Sequence, residues 1–399
     1  GISWCALPPA VALSESLQLL KMRYCAATSS HAGGNSSIAL AASLNSFGLA
    51  LFQLLSSLSP QADVVISPLS VKAALSMVGA GTTECSQSEQ EMVKVLGNFD
   101  PVSVDDAVEL SNAEWIRGAI KDEYVDYIRE TYHAEALPLV GTDPAPVNQW
   151  VKEKTHGRID HLFEEPFDPL TVLVLVNTVF FKGSWASPFE ASETNAGVFR
   201  TLAGEGEPCD MMSRTAKDTQ YLEAHDCQLV KLPYSSGGLS AIVLLPKTEG
   251  QEALDQAIQS LTSEAWGTMV GQFGRRHVKL SMPRFKAKFS HKLNDVLKTL
   301  GMPTPFEGEE KGAFLRMSDD PQTVLDIVMH QATLEVNEEG TIASAATGAA
   351  IATRSLPAPP LPMTIDRPFL FFVVDEHNSI LFASKMCKPT LEGISSTLE

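Results

Sequence analysis

Arg354 stands out because of what precedes it. From Thr341 to Thr353 the chain reads TIASAATGAAIAT without one charged side chain. After Arg354 and Ser355 it turns proline-rich, with Pro357, Pro359, Pro360 and Pro362. A long cation on a proline-stiffened, extended segment is a group that an acidic pocket can take up. The uncharged run has a different chemistry. One alternating set is Thr341, Ala343, Ala345, Thr347, Ala349 and Ile351; the other is Ile342, Ser344, Ala346, Gly348, Ala350 and Ala352. Both sets are small or β-compatible. A strand buried between two others presents alternate positions to each face and tolerates no unpaired charge. Gly340, after Glu338 and Glu339, offers backbone freedom where such a strand would turn over. The same run also suits a buried helix or a flexible linker, and a lone arginine is often just solvated. On residues alone these readings stay open.

Enzyme chemistry finds no foothold elsewhere. There is no GxSxG elbow, HExxH, P-loop, or GxGxxG following a strand. Nine histidines make a triad arithmetically possible, but no spacing selects one. Cys5, Cys25, Cys85, Cys209, Cys227 and Cys387 form no CxxC pair, so neither a zinc site nor a disulfide scaffold is expected. No cofactor or metal is expected. The net charge of -18 argues against nucleic acid or an anionic membrane as partner. Arg275, Arg276, Lys279, Arg284, Lys286, Lys288 and Lys292 are read as a solvated face of strands in preference to a polyanion site. No apolar run is read as a membrane span. The first residues lack an initiating methionine and a basic n-region, which makes a poor secretory signal and suggests a truncated start. Asn35-Ser36-Ser37 is a glycosylation sequon of little weight.

Elements must position this loop. Residues 1–37 end in a Ser/Gly/Asn-rich linker and read as a tail. Leu44, Phe47, Leu51, Leu54, Leu55 and Leu58 then recur at helical spacing. ADVVISPLSVKAALSMVGAG predicts a short strand, a Ser-Pro helix start and a helix buried on most sides. PVNQWVKEKTHGRIDHLF predicts an amphipathic helix ending near Gly157. TVLVLVNTVFFKGSW is a continuous apolar strand, covered on both faces, with Asn177-Thr178 in its middle. CQLVKLPYSSGGLSAIVLLP predicts two strands around a turn. In VKLSMPRFKAKF the alternation changes phase at Pro283, which predicts a bulge or a passage between strands. FLFFVVDEHNSILFASKM predicts a closing hairpin. Helices cluster early and strands late, so the class is α+β with large, mostly antiparallel sheets.

From residue ~38 to ~392 these pieces, in order, resemble the serpin superfamily of serine-protease inhibitors. SPLSVKAALSMVGAG resembles the strand and helix beneath the family's main sheet, and VNQWVKEKTHGRIDHLF the helix lying across it. LVLVNTVFFKGSWASPF resembles the third strand, VMHQATLEVNEEGT the fifth strand and hinge, and DRPFLFFVVDEHNSILFASKM the closing hairpin. The resemblance implies a single domain over residues 38–392, with a helical bundle around three sheets and an exposed reactive loop at 338–362. Residues 393–399 form a C-terminal tail. Its hinge would be Glu338, Glu339, Gly340, Thr341, Ala343, Ser344, Ala345, Ala346 and Thr347. The reactive bond, fourteen residues after Gly340, would be Arg354–Ser355. Ser67, Ser70, Asn177 and His330 would gather under the main sheet where it parts (the shutter), with Trp185 near its top (the breach).

By the same resemblance the protein is no enzyme. It would be a monomer that traps a trypsin-like serine protease as a covalent acyl complex and inserts its loop into the main sheet. Extracellular residence is implied weakly, and the sequence leaves a cytosolic one open. A carrier or chaperone with a cleavable tether is the alternative, and papain-like targets a further one. Two departures stand out. Only DPVSVDD occupies the place of a helix that binds heparin in several members, so heparin is not an expected partner. Ser384 stands where the family usually has glycine.

Overall fold

The computed structural model describes residues 36–99, 105–236, 238–341 and 359–389, the side chains from residue 40 and without that of Thr341. The first helix, Ser36–Leu58, buries Phe47, Leu51, Phe52 and Leu55 completely. Its Leu40–Leu58 stretch is in fact long and apolar enough to cross a membrane, contrary to the sequence reading, but 72% of its most apolar window is buried inside the protein. Core packing accounts for that apolarity. Ser67 caps the second helix, Pro68–Ala80, its hydroxyl accepting from the Ser70 amide with Pro68 in the first turn. Every residue from Pro68 to Gly79 is buried, as the expected all-round apolar pattern requires.

That helix lies under a five-stranded sheet, called the main sheet below. Its strands run in the order Phe285–Lys292, Leu325–Val336, Leu173–Phe181, Val108–Ile116 and Glu135–Pro138. Leu173–Phe181 is buried along its whole length. The opposite face is covered by the helix Ala145–Lys154, whose Val147, Trp150 and Val151 pack on Ala113, Val174 and Val176. Cover on both faces is why the strand reads as an unbroken apolar run. Two neighbour pairs in this sheet are parallel: Leu325–Val336 with Leu173–Phe181, and Val108–Ile116 with Glu135–Pro138.

A nine-stranded sheet and the two-stranded pair Gly340–Thr341 with Gly183–Ser184 complete the β-structure of the described residues. The 18-residue strand Gly206–Glu223 runs through the larger sheet. The phase change at Pro283 is a passage between sheets. Gly274–Pro283 belongs to the nine-stranded sheet and Phe285–Lys292 to the main sheet, so Val278, Leu280 and Met282 face one core and Phe285 and Ala287 continue it. The seven basic residues around this crossing are therefore not one face. Arg275, Arg276 and Lys279 are exposed, whereas Arg284 and Lys286 pair with carboxylates. The closing hairpin forms as read, from Phe369–Val374 and Ile380–Met386. Ser384 is fully buried there with no partner for its hydroxyl.

Candidate functional site

Four residues named from the sequence meet under the main sheet. The register places His330 beside Asn177 and Asn177 beside Asn112, one polar row across three adjacent strands. The Asn177 amide donates to the Ser70 hydroxyl at 2.6 Å, to the Ser70 carbonyl at 3.2 Å and to Asn112 Oδ1 at 2.5 Å. The Ser67 amide lies 3.3 Å from His330 Nε2, and its hydroxyl donates to the Leu381 carbonyl at 2.7 Å.

These contacts fix the imidazole tautomer. A backbone N–H can only donate, so Nε2 of His330 must accept and the ring proton sits on Nδ1. Nδ1 then donates to Asn177 Oδ1 at 2.5 Å. A second ring proton has no place. Burial, helped by His291 on the next strand, pushes the His330 pKa down to about 3. The row is neutral and hydrogen-bonded, as buried polar groups must be. Asn112 was missed in the sequence. Its sole signal is a polar residue between the small and apolar positions of a half-buried strand.

A chain reversal follows the strand Leu325–Val336. Gly340 has φ +141°, and a Cβ there would fall 2.2 Å from the Gly183 carbonyl oxygen. Glycine is the residue that fits both constraints. Asn337 Oδ1 accepts from the Glu339 and Gly340 amides at 3.1 Å each, an Asx turn that starts the reversal. Trp185 clamps this turn. Its indole donates to the Asn337 carbonyl at 3.0 Å, its amide donates to the Glu339 carbonyl at 2.9 Å, and its ring stacks on Tyr234 at 4.5 Å. Glu338 is buried but paired, with Arg284 Nε 2.7 Å away and the Thr194 hydroxyl donating to the same carboxylate. Asn337, Thr194 and Arg284 carried no sequence signal for this role.

A seam runs through the polar row. Leu325–Val336 and Leu173–Phe181 pair directly from Leu325 beside Leu173 to Thr333 beside Phe180, with no strand between them. Ala343, Ser344, Ala345, Ala346, Thr347, Arg354 and Ser355 lie outside the described residues. Among the described residues no His/Cys/Asp/Glu group could hold a metal, and Cys85, Cys209, Cys227 and Cys387 are free thiols.

Comparison with known proteins decides what this arrangement is. The Serpin (serine protease inhibitor) family profile matches residues 42–389. The chain belongs to the serpin family. Among its relatives, Iripin-5 of Ixodes ricinus is 32% identical over 373 residues, 86% of this chain and 93% of that protein. Leukocyte elastase inhibitor A of Mus musculus is 34% identical over 378 residues, 86% of this chain and 97% of that one. Of solved structures, Serpin48 of the insect Tenebrio molitor has a TM-score of 0.76 at 22% identity, covering 90% of this chain and 100% of that one. Human thyroxine-binding globulin in complex with its hormone also reaches 0.76, at 24% identity, covering 88% and 98%. The serpin fold, with helices around mixed sheets in a single domain, is thereby established. Membership places the chain among protease inhibitors and not among enzymes.

Proposed function

We propose that this serpin inhibits trypsin-like serine proteases as a suicide substrate, with Arg354–Ser355 as its reactive bond. The observation that carries the proposal is the closed seam between two parallel strands, with a chain reversal at its end. A segment that turns back at Gly340 runs antiparallel to both Leu325–Val336 and Leu173–Phe181. Inserting it replaces one parallel ladder by two antiparallel ones, the more stable pairing per residue. Each new hydrogen bond contributes about 1 kcal/mol net. Thr341 to Thr353 suits that slot because no position on either face carries a charge.

The chemistry follows from the bait. The Arg354 cation enters the acidic specificity pocket of the protease, whose serine attacks the Arg354 carbonyl carbon. The bond to the Ser355 nitrogen breaks, and the amine leaves with a proton. An ester now joins protease and Arg354. Insertion before water reaches that ester carries the protease away from the pole where it docked and distorts its active site. Glu338, Glu339, Gly340, Thr341, Ala343, Ser344, Ala345, Ala346 and Thr347 act as the hinge. Ser67, Ser70, Asn177 and His330 act as the shutter that must part, and Trp185 guards the entry.

The test is to mix the protein with trypsin and analyse the products by denaturing electrophoresis and mass spectrometry. The expected result is a complex that survives denaturation, with release of a peptide beginning at Ser355. Arg354→Glu should abolish it. Ala345→Glu should leave cleavage but no complex, since a charge in the slot stalls insertion. Cleavage of the unmutated protein at Arg354 without any complex would reject the inhibitory reading.

A further inference from the structure

Glu114 sits in the strand Val108–Ile116 with no solvent exposure at all. Its two carboxyl oxygens lie 2.8 and 2.9 Å from the Tyr124 hydroxyl, and that hydroxyl is also 3.0 Å from the Met77 carbonyl oxygen. Three oxygens thus surround a phenol that owns one hydrogen. With Glu114 ionised, Tyr124 serves either the carboxylate or the carbonyl, and the other oxygen faces it without a proton. With Glu114 neutral the count closes. The acid donates to Tyr124, and Tyr124 donates to Met77.

The chain of bonds so formed joins three elements. Glu114 belongs to the main sheet, Tyr124 to the helix Asp122–Tyr132, and Met77 to the helix Pro68–Ala80. Two residues back along the same strand, Asn112 ends the shutter row. When the seam opens, one side of the sheet must shift over the helix beneath it. We propose that Glu114–Tyr124–Met77 is a proton-dependent latch, tying the Val108–Ile116 side of the main sheet to the helical layer while Glu114 is neutral and releasing it on ionisation.

Among the described residues no cation bears on Glu114 to hold it ionised. On Asp122–Tyr132 the groups bearing on the pair are Tyr124 and, behind it, Tyr132; Asp122, Glu123, Asp126, Arg129 and Glu130 are exposed. The charged residue of Pro68–Ala80 is Lys72, whose ammonium stands 4.0 Å from where a Cβ on Gly97 would be. In register beside Glu114 stand Leu175 and Ala136, and Glu135 is engaged by Lys154. Burial therefore outweighs the Tyr124 hydrogen bond and raises the Glu114 pKa to about 8. An acid raised in the folded state contributes fully below its ordinary value near 4.5, and its contribution fades as pH rises to about 8.

Hydrogen exchange of Val108–Ile116 tests this, comparing the protein with Glu114→Gln at matched pH so that intrinsic rates cancel. The exchange ratio should climb by up to about tenfold per pH unit from about 5 to 8 and then level off. A ratio independent of pH would overturn the latch. Glu114→Leu is the neutral standard should the glutamine variant not fold. A glutamate side-chain carbon resonance titrating near 8 in the unmutated protein supports the latch independently, and titration of every glutamate near 4.5 overturns it. That sheet opening admits the reactive loop rests on the inhibitory reading above. The exchange experiment uses no protease, so the two readings fail separately.

Discussion

His330 and Glu114 lie on the same face of the main sheet, above the same helix, and both are neutral by opposite routes. The imidazole has lost a proton it would share with solvent near pH 6.5, and the carboxyl has kept one it would lose near 4.5. In both cases burial removes the charge and the neighbours then satisfy what remains. The chain reversal at Gly340 handles a buried acid differently. Glu338 is paired with Arg284 at the rim, where the guanidinium side chain stays 26% exposed. The polar row across the strands is thus neutral, while the Glu338–Arg284 pair stands at the rim. The uncharged run Thr341–Thr353 obeys the rule of the surface it is proposed to enter.

The largest expected effect comes from removing the centre of the polar row. Asn177→Leu leaves Ser70, Asn112 and His330 without their common partner, at a cost of about 3–5 kcal/mol. Denaturant unfolding would measure it, and a loss under 1 kcal/mol would show that the row is not a unit. Next is the hinge. Arg284→Met strands the buried Glu338 carboxylate and should cost about 2–3 kcal/mol, below the full penalty of breaking a buried pair because the rim is partly wet. If Glu338→Gln in the same background fails to restore the loss, the charge is not its origin.

Acid and base sharpen the comparison further. His330 binds its proton in the unfolded chain but not in the folded one between about 3 and 6.5, so it lowers stability as pH falls below 6.5. Glu114 does the reverse between 4.5 and about 8, lowering stability as pH rises. The two cancel from 4.5 to 6.5. Below that window His330 alone, down to about 3, and above it Glu114 alone, up to about 8, contributes a slope of about 1.4 kcal/mol per pH unit. Thermal unfolding of Glu114→Gln should therefore show stability rising with pH up to 6.5, where the unmutated protein shows a plateau from these two groups. A variant that parallels the parent at every pH would place the titration elsewhere.

Much of the fold was legible because it rests on periodicity. The apolar run at Leu173–Phe181, the capped helix after Ser67 and the phase change at Pro283 are local patterns with local causes. The polar row was legible only in part. Asn177 announces itself inside an apolar strand, but its joining with Ser67, Ser70 and His330 came from family resemblance, since partners as far as 263 residues apart leave no spacing signal. Glu114 was not legible at all. Nothing in SNAEWI marks it as buried, and only the packing of Tyr124 and Met77 around it gives it a reason to hold a proton. Strand direction was equally hidden, because parallel and antiparallel neighbours share one alternation.

The smallest effect concerns a polar group that neither route has satisfied. Ser384 lies in the closing hairpin beside Val65 and Phe371, fully buried, its hydroxyl without a partner. His330 and Glu114 are tolerated because every proton they retain is used, and Ser384 breaks that pattern. Removing the hydroxyl takes away a desolvation cost and no hydrogen bond. Ser384→Ala should therefore stabilise the protein by about 1 kcal/mol, a change visible as a raised midpoint with an unchanged slope in urea. A lowered midpoint would mean that the hydroxyl is bonded after all, and the comparison would then extend to every buried polar group of the hairpin.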